Sequence, residues 1–310
     1  MRLILLLNMG GPNDLSEVEV FLKNMFNDPC ILGIKSQLLR KFVAFAITKS
    51  RLKTAQNNYR QIGGKSPICK LTARLCGKIS HFLEDDETAA FAMNYTPPFT
   101  KDVLAEFTEA SEIVVFPLYP HHSITTVTSS LNDFKKACRE LNLQAKIKIV
   151  EPFFGDDRYN EIIVDRIEKS ARNLNTDDIT LIFSAHSLPQ KIIDAGDVYE
   201  EHVKRHVQIL TEILEKRGVK FKQTMLAYQS RLGPVKWLEP SLNQVLAELK
   251  DKKALIYPIS FCIDNSETVF ELSKEFKHIA DELKFDFYDV IACPNDDDKF
   301  AKFIADKARE

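Results

Sequence analysis

Short runs of consecutive apolar residues alternate with longer stretches in which apolar positions recur every three or four residues, from one end of the 310-residue chain to the other. The short runs predict strands over 3–7, 90–94, 113–118 and 147–150, and then over 179–183, 224–228, 254–259 and 285–291. Several are apolar throughout rather than at alternate positions, as in a parallel sheet covered by helices on both faces. The longer stretches predict helices near 35–60, 68–84, 100–111, 127–141, 158–174, 198–217, 240–250, 267–281 and 296–310. Strand and helix in strict alternation define an α/β chain with parallel sheets. Four strands fall on each side of about residue 151, where EPFFGDD breaks the pattern. The expectation is therefore two half-domains of similar layout, 1–150 and 151–294, with the final helix, 295–310, packing back on the first.

Charge and composition narrow the class. Forty-two Lys and Arg against 44 Asp and Glu leave a net charge of −2, without the basic excess that a nucleic-acid surface shows. With 45% hydrophobic and 28% charged residues, the chain is an ordinary globular one. Cys30, Cys69, Cys76, Cys138, Cys262 and Cys293 form no CxxC pair and read as free thiols in a reducing compartment. The N-terminal apolar run is too short for a signal peptide, and nothing approaches the ~18 apolar residues of a membrane span. A cytoplasmic address is expected. The segment 42–48, flanked by Arg40, Lys41, Lys49 and Arg51, reads as a core-facing helix, with contact to a membrane surface as the alternative.

Open α/β sheets bind ligands outside the carboxyl ends of their strands, so those ends are where chemistry is sought. The first strand is followed by NMGGPN at 8–13. Neither GxGxxG nor GxxxxGK[ST] is present, which weighs against a nicotinamide enzyme or an ATPase. Gly10 and Gly11 permit close backbone approach by something flat or bulky, and Met9 adds a polarizable side chain; a plain turn explains them equally well. Ser66-Pro67 reads as a helix cap, or as a helix start offering N–H groups to an anion. His121 and His122 are adjacent and so point apart, which disfavours a shared metal.

The strongest local signal is SAHSLP at 184–189, which sets His186 at the end of a buried strand. An imidazole there can accept a proton or, when neutral, ligate a divalent metal. After the seventh strand, Asp264, Glu267, Glu271 and Glu275 would cover about 80° of an α-helix, apart from an apolar stripe of Val269, Leu272, Phe276 and Ile279. Such a row can guide protons or hydrated cations, or be a solvated face. His202 and His206 are spaced i, i+4 but lack the glutamate of a zinc-protease helix, and read as structural or surface residues.

Together these segments resemble the ferrochelatase family, which inserts ferrous iron into a porphyrin late in haem synthesis. The resemblance rests on LLLNMGGP at 5–12, MFNDPCILGI at 25–34, YRQIGGKSPI at 59–68, FPLYPHHSITTVTSSLN at 116–132, LIFSAHSLP at 181–189, WLEP at 237–240 and SETVFEL at 266–272, all in family order. It implies a chelatase-like fold of two Rossmann-like halves, each with a four-stranded parallel sheet, and a porphyrin in the cleft between them. It implies that His186 and Glu267 are catalytic residues and transient metal ligands, with Glu267 on the facing wall. Glu271 and Asp264 would form a proton or metal relay. Met9, Tyr59, Ser66 and Trp237 would bind porphyrin.

The resemblance further implies a lyase of the metal-chelatase kind, with ferrous iron as substrate and no resident cofactor. The cysteine-bearing extension that holds an iron–sulfur cluster in some relatives is missing, so no cluster is expected. Asn265 stands where many relatives carry histidine, which puts an outer relay in doubt. Protoporphyrin IX is the expected substrate, protohaem the product and a monomer the expected state, with peripheral membrane contact through 31–47. The competing readings are a coproporphyrin III ferrochelatase, a cobalt or nickel tetrapyrrole chelatase, and a haem or porphyrin carrier.

Overall fold

The computed structural model of the protein describes residues 1–310 and arranges them in two compact units. The first comprises residues 1–119, 123–151 and 296–310; the second comprises 120–122 and 152–295. In the first, the chain forms β1 (Arg2–Asn8), α1 (Glu17–Asn27), the single turn α2 (Pro29–Leu32), α3 (Gln37–Gln61), α4 (Ile68–Ile79), β2 (Glu87–Met93), α5 (Thr100–Ala105), β3 (Glu112–Pro117), α6 (Ser129–Glu140) and β4 (Lys146–Ile149). The second unit contains α7 (Asp157–Ala171), β5 (Thr180–His186), α8 (Gln190–Asp194), α9 (Tyr199–Lys216), β6 (Gln223–Gln229), α10 (Leu242–Glu248) and β7 (Lys253–Tyr257). A π-helix, Glu267–Glu275, then runs directly into α11 (Phe276–Glu282), ahead of β8 (Phe287–Val290). The last helix, α12 (Asp298–Arg309), belongs to the first unit.

Each unit is built on one four-stranded parallel sheet, in the orders β2-β1-β3-β4 and β6-β5-β7-β8. The apolar runs become the central strands. Leu3 to Leu7 of β1 are at most 2% exposed. Leu3, Leu5 and Leu7 join Leu104, Phe134 and Ala137 in one cluster. Each such side chain contributes roughly 1.5–3 kcal/mol by leaving water. Also in the first unit, α12 sets Phe303 edge-on to Phe116, with ring centroids 6.4 Å apart. Ion pairs Arg74–Asp296 (2.6 Å) and Arg309–Glu87 (2.6 Å) hold the segment at its two ends.

In the second unit, Leu272, Phe276 and Ala280 lie on Ile182, Ala227, Ala254 and Ile256 of the sheet. This stripe differs slightly from the expected one, because the π-wound segment turns Val269 partly outward. The Tyr288 hydroxyl donates to the Leu272 carbonyl (3.0 Å), securing the wide winding from the β8 side.

Three helices are not among those predicted: α1, whose buried face is Val18, Phe21, Leu22 and Phe26, the single turn α2 and the short α8. The expected core-facing character of 42–48 is only partly met. Ala44 and Thr48 are buried, but Phe42 and Phe45 are 69% and 60% exposed, beside Leu38 at 82%. No helix is long and apolar enough to cross a membrane.

Candidate active site

The sheet order of the second unit decides where chemistry can be presented. β6 pairs on one side of β5 and β7 on the other, so the connections diverge beyond the carboxyl ends of β5 and β7, where open α/β sheets accept ligands. His186 is the last residue of β5, and Glu267 opens the π-helix that follows β7. Nδ1 of His186 lies 2.7 Å from Oε2 of Glu267. Glu267 is therefore not on a facing wall: both residues come from one unit, and β5 and β7 are neighbours in its sheet. With Nδ1 engaged by a carboxylate, the proton sits on that nitrogen in the neutral ring and Nε2 carries the lone pair. About a third of the His186 side chain, 35%, is accessible.

Behind this pair stands a second carboxylate. Glu271 accepts from the Ser230 N–H at Oε1 (2.7 Å) and from the Gln229 amide at Oε2 (3.4 Å). Gln229 in turn accepts from the Ser184 hydroxyl (2.6 Å). The Ser230 hydroxyl lies within hydrogen-bond distance of both acids, 3.2 Å from Glu267 Oε2 and closer still to Glu271 Oε2. A hydroxyl has a single proton, so both contacts are favourable only when one of the two acids carries a proton. Ser230 reaches this place through a left-handed backbone, φ +66°. The π-winding also helps: an α-helix overshoots a full turn at i+4 by about 40°, and the wider turn lessens that offset between Glu267 and Glu271.

The electrostatics follow from this crowding. Burial, and then the Glu267 charge, push the Glu271 carboxyl up to about 7. For His186, burial works against the charged form, but the Glu267 charge, the hydrogen bond to it and the Glu271 charge outweigh burial and raise the imidazole above its ordinary value. His186, Glu267, Ser230 and Glu271 are thus linked in a continuous run of hydrogen-bond contacts.

Asp264 does not join this row. The helix begins at Glu267, so Asp264 precedes it, and its carboxylate instead accepts from Cys293 N (3.3 Å) and Asn295 Nδ2 (2.6 Å). Asn265 caps the start of the π-helix, its side-chain oxygen accepting from Glu267 N at 2.7 Å. Glu275 is exposed.

In the same unit, Trp237 lies beside the segment that follows His186, since Leu238 N donates to Leu188 O (3.1 Å) and Gln190 N to Lys236 O (2.8 Å). Its indole N–H is buried without a partner.

In the first unit, Met9 is partly exposed after β1, whereas Tyr59 and Ser66 are only 5% and 4% exposed. Tyr59 packs with Val18, Phe21 and Tyr95, and neither it nor Ser66 offers surface to a carboxylate in this conformation. The glycine pair has a protein-internal cause. A Cβ on Gly10 (φ +84°) would meet Thr96 Oγ1 at 2.5 Å, and one on Gly11 would meet Ser66 Oγ at 2.7 Å.

His206 is a structural residue. It is fully buried in the second unit, between His121 Nε2 (2.9 Å to its Nδ1) and Asn160 Oδ1 (2.8 Å to its Nε2). His202 Nδ1 accepts from the His122 N–H (3.2 Å). Ser230 and Gln229 escaped the sequence reading. Their signal was available, because they occupy the carboxyl end of β6 as His186 occupies that of β5.

A family model described as Ferrochelatase matches residues 3–310. A ferrochelatase of Campylobacter concisus is 61% identical over 308 residues, covering 99% of this chain and 97% of the relative. A ferrochelatase of Campylobacter fetus subsp. fetus is 54% identical over 310 residues, 100% of this chain and 99% of that one. One of Nitratiruptor sp. is 49% identical over 308 residues, 99% and 98% of the two chains. Among solved structures, SirB from Bacillus subtilis with Fe3+ superposes at a TM-score of 0.57 with 13% identity, covering 100% of this chain and 94% of that one. CbiX, a terminal enzyme of sirohaem biosynthesis in denitrifying bacteria, gives 0.53 with 13% identity, over 99% and 97% of the chains. These two likenesses concern the chelatase-like fold.

Proposed function

The chain belongs to the ferrochelatase family, and on that premise we propose that it inserts ferrous iron into protoporphyrin IX, releasing two protons as protohaem forms. The observation that carries the reading is the His186–Glu267 pair, 2.7 Å apart, with Glu271 held behind it. Metallation replaces two pyrrole protons with one dication, so the reaction needs bases that work near neutrality. Nε2 of His186 takes a pyrrole proton, and Glu267 stabilises the imidazolium that results. Protons then pass by way of Glu267 and Ser230 to Glu271.

No three His, Cys, Asp or Glu side chains converge into a ready-made ion cage. His186 and Glu267 are the nitrogen and oxygen donors through which iron would pass, a set that suits ferrous iron while still permitting its release. The macrocycle's lone pairs lie in its plane and must be bent out to meet a metal, a distortion that binding contacts elsewhere can supply. Met9 and Trp237 are the candidate porphyrin contacts with partial exposure.

The test is anaerobic mixing of the protein with ferrous iron and either protoporphyrin IX or coproporphyrin III, followed by visible absorption. The expected result is metallation of protoporphyrin, abolished in His186→Ala while porphyrin binding persists. Turnover of coproporphyrin alone overturns the substrate assignment. Cobalt or nickel accepted in place of iron indicates a different chelatase, and tight haem binding without turnover indicates a carrier.

A peripheral membrane contact through 31–47 is part of the proposal. Leu38, Leu39, Phe42 and Phe45 are exposed, with Lys35 and Lys41 exposed beside them, a composition that suits an anionic lipid surface. Flotation with anionic vesicles should recover the protein and lose it in the double variant Phe42→Ser/Phe45→Ser. Equal recovery of both proteins overturns the contact.

A further inference from the structure

We infer that Tyr199 and Ser260 are positioning residues for His186, closing with its own peptide group a ring of hydrogen bonds that fixes the imidazole against Glu267. The inference rests on His186 being the proton acceptor.

The need for such a ring comes from the sheet. β5 pairs with β6 along its whole length, to His186 opposite Gln229, but its pairing with β7 ends at Phe183 opposite Tyr257. One further link, Ile259 N to Ser184 O at 3.0 Å, closes that edge, and the chain turns away there, Phe261 N donating back to Pro258 O at 3.2 Å. His186 lies two residues beyond Ser184, so its peptide N–H and C=O point to the same edge and find no strand there. A buried peptide group without a partner is costly, and a catalytic side chain on an untied strand end would be poorly aimed.

Two hydroxyls stand in for the missing strand. His186 N donates to Ser260 Oγ at 3.2 Å, and Tyr199 OH donates to His186 O at 2.9 Å. Tyr199 OH and Ser260 Oγ are themselves 2.6 Å apart. The tyrosine's one proton is committed to the carbonyl, so Ser260 donates to Tyr199 and the ring runs in one direction: His186 N–H to Ser260, Ser260 to Tyr199, Tyr199 to His186 O. Tyr199 and Ser260 are only 6% and 9% exposed, so water is poorly placed to replace either hydroxyl. Tyr199 is held in turn by its own N–H on Asp197 Oδ1 (2.9 Å) and by the His121 ring edge-on to its own, 6.0 Å between centroids. Bonds arranged head to tail polarise one another, so the members act as a unit.

The experiment compares Tyr199→Phe, Ser260→Ala and the double variant in anaerobic iron insertion, with His186→Ala as reference. Tyr199→Phe is expected to lower kcat about 10–100-fold, the usual range for a residue that orients a reacting group, with the porphyrin KM and thermal midpoint near those of the parent. The acidic limb of its pH profile should move to lower pH, because a loosened imidazole gains less from the two carboxylates. The downfield proton resonance of His186 Nδ1–H should shift or broaden. The double variant should be no slower than the worse single variant. If Tyr199→Phe does not fold, Ser260→Ala carries the same readings.

Parental kcat and pH profile in the hydroxyl variants, with His186→Ala inactive, overturn the positioning role alone. Activity in His186→Ala overturns the acceptor assignment beneath it. Additive losses in the double variant overturn the ring as a unit.

Discussion

The His186 imidazole is tied by Nδ1 to Glu267 Oε2 at 2.7 Å, which leaves the lone pair of the neutral ring on Nε2. Burial lowers the imidazole's affinity for a proton, while the Glu267 charge, its hydrogen bond and the Glu271 charge raise it by more. The accepting, neutral form is therefore lost as pH falls through a value above the ordinary 6.5. Glu267→Gln removes the main opposing influence and leaves burial in place. Its acidic limb should move to lower pH, with kcat reduced about 10²–10⁴-fold as for loss of an acid–base partner. A pH–rate series on both proteins checks this; an unmoved limb would show that Glu267 does not set the histidine's titration.

Ser230 combines a strained backbone with a hydroxyl between two acids, and substitution separates the two contributions. Ser230→Ala keeps φ at +66° and removes the hydroxyl; Ser230→Gly removes both the hydroxyl and the strain. Glycine should be the more stable variant by roughly 1 kcal/mol, the cost of the left-handed region for a residue with Cβ. Both should lose turnover to a similar extent, because neither links Glu267 to Glu271. Denaturant melts and steady-state rates on the pair measure each effect. A Gly variant with parental activity would show that the hydroxyl is not on the proton path.

Gly11→Ala asks whether the glycine pair serves packing or ligand approach. The added methyl would meet Ser66 Cβ and Oγ at 2.7 Å, so Ser66 or the backbone must shift. The expected cost is about 1–3 kcal/mol of stability, as for other overpacked sites, seen as a lower thermal midpoint. A raised porphyrin KM at unchanged stability would instead point to close approach by the macrocycle.

The buried histidines of the second unit should make the protein acid-labile. Burial lowers the His206 imidazole from 6.5 to about 3, and burial followed by the charges of His206 and His202 lowers His121. Between about 6.5 and 3 the unfolded chain binds protons that the folded chain refuses, so stability is present above 6.5 and is lost as pH falls. His206→Gln can keep a donor toward Asn160 and an acceptor toward His121. Its unfolding free energy should depend less steeply on pH between 6 and 4, by up to about 1.4 kcal/mol per pH unit. Glu271 titrates in both proteins and cancels from the difference. Identical slopes would place the acid sensitivity elsewhere.

The elements that were legible in the sequence were those whose signal is local. Leu3–Leu7 and Ile179–Phe183 are apolar without interruption because helices cover both faces of their sheets, and SAHSLP marks a strand end by its small residues and proline. Helix α1 carried its pattern too, with Val18, Phe21 and Leu22 at i, i+3 and i+4, but it is only 11 residues long and is closed at once by Asp28-Pro29. Strand order was not legible, since it depends on which way each crossover turns. Nor was the start of the helix at Glu267, which leaves Asp264 ahead of the acidic row, or its π-winding. The left-handed Ser230 is a product of the turn beyond β6, and no side-chain pattern announces it. Burial of Tyr59 and Ser66 follows from α1 and from the close approach of Gly11, both tertiary facts.

The placement of α12 bears on how the polypeptide matures on the ribosome. Residues 152–295 make a nearly continuous unit that can fold as soon as they emerge, whereas the unit holding the first strands waits for residues 296–310 to supply Phe303 and the Asp296 and Arg309 ion pairs. The half synthesised first is thus completed last. A nonsense lesion near residue 295 would spare the local framework around His186 and leave the amino-terminal sheet uncovered on the face that α12 protects.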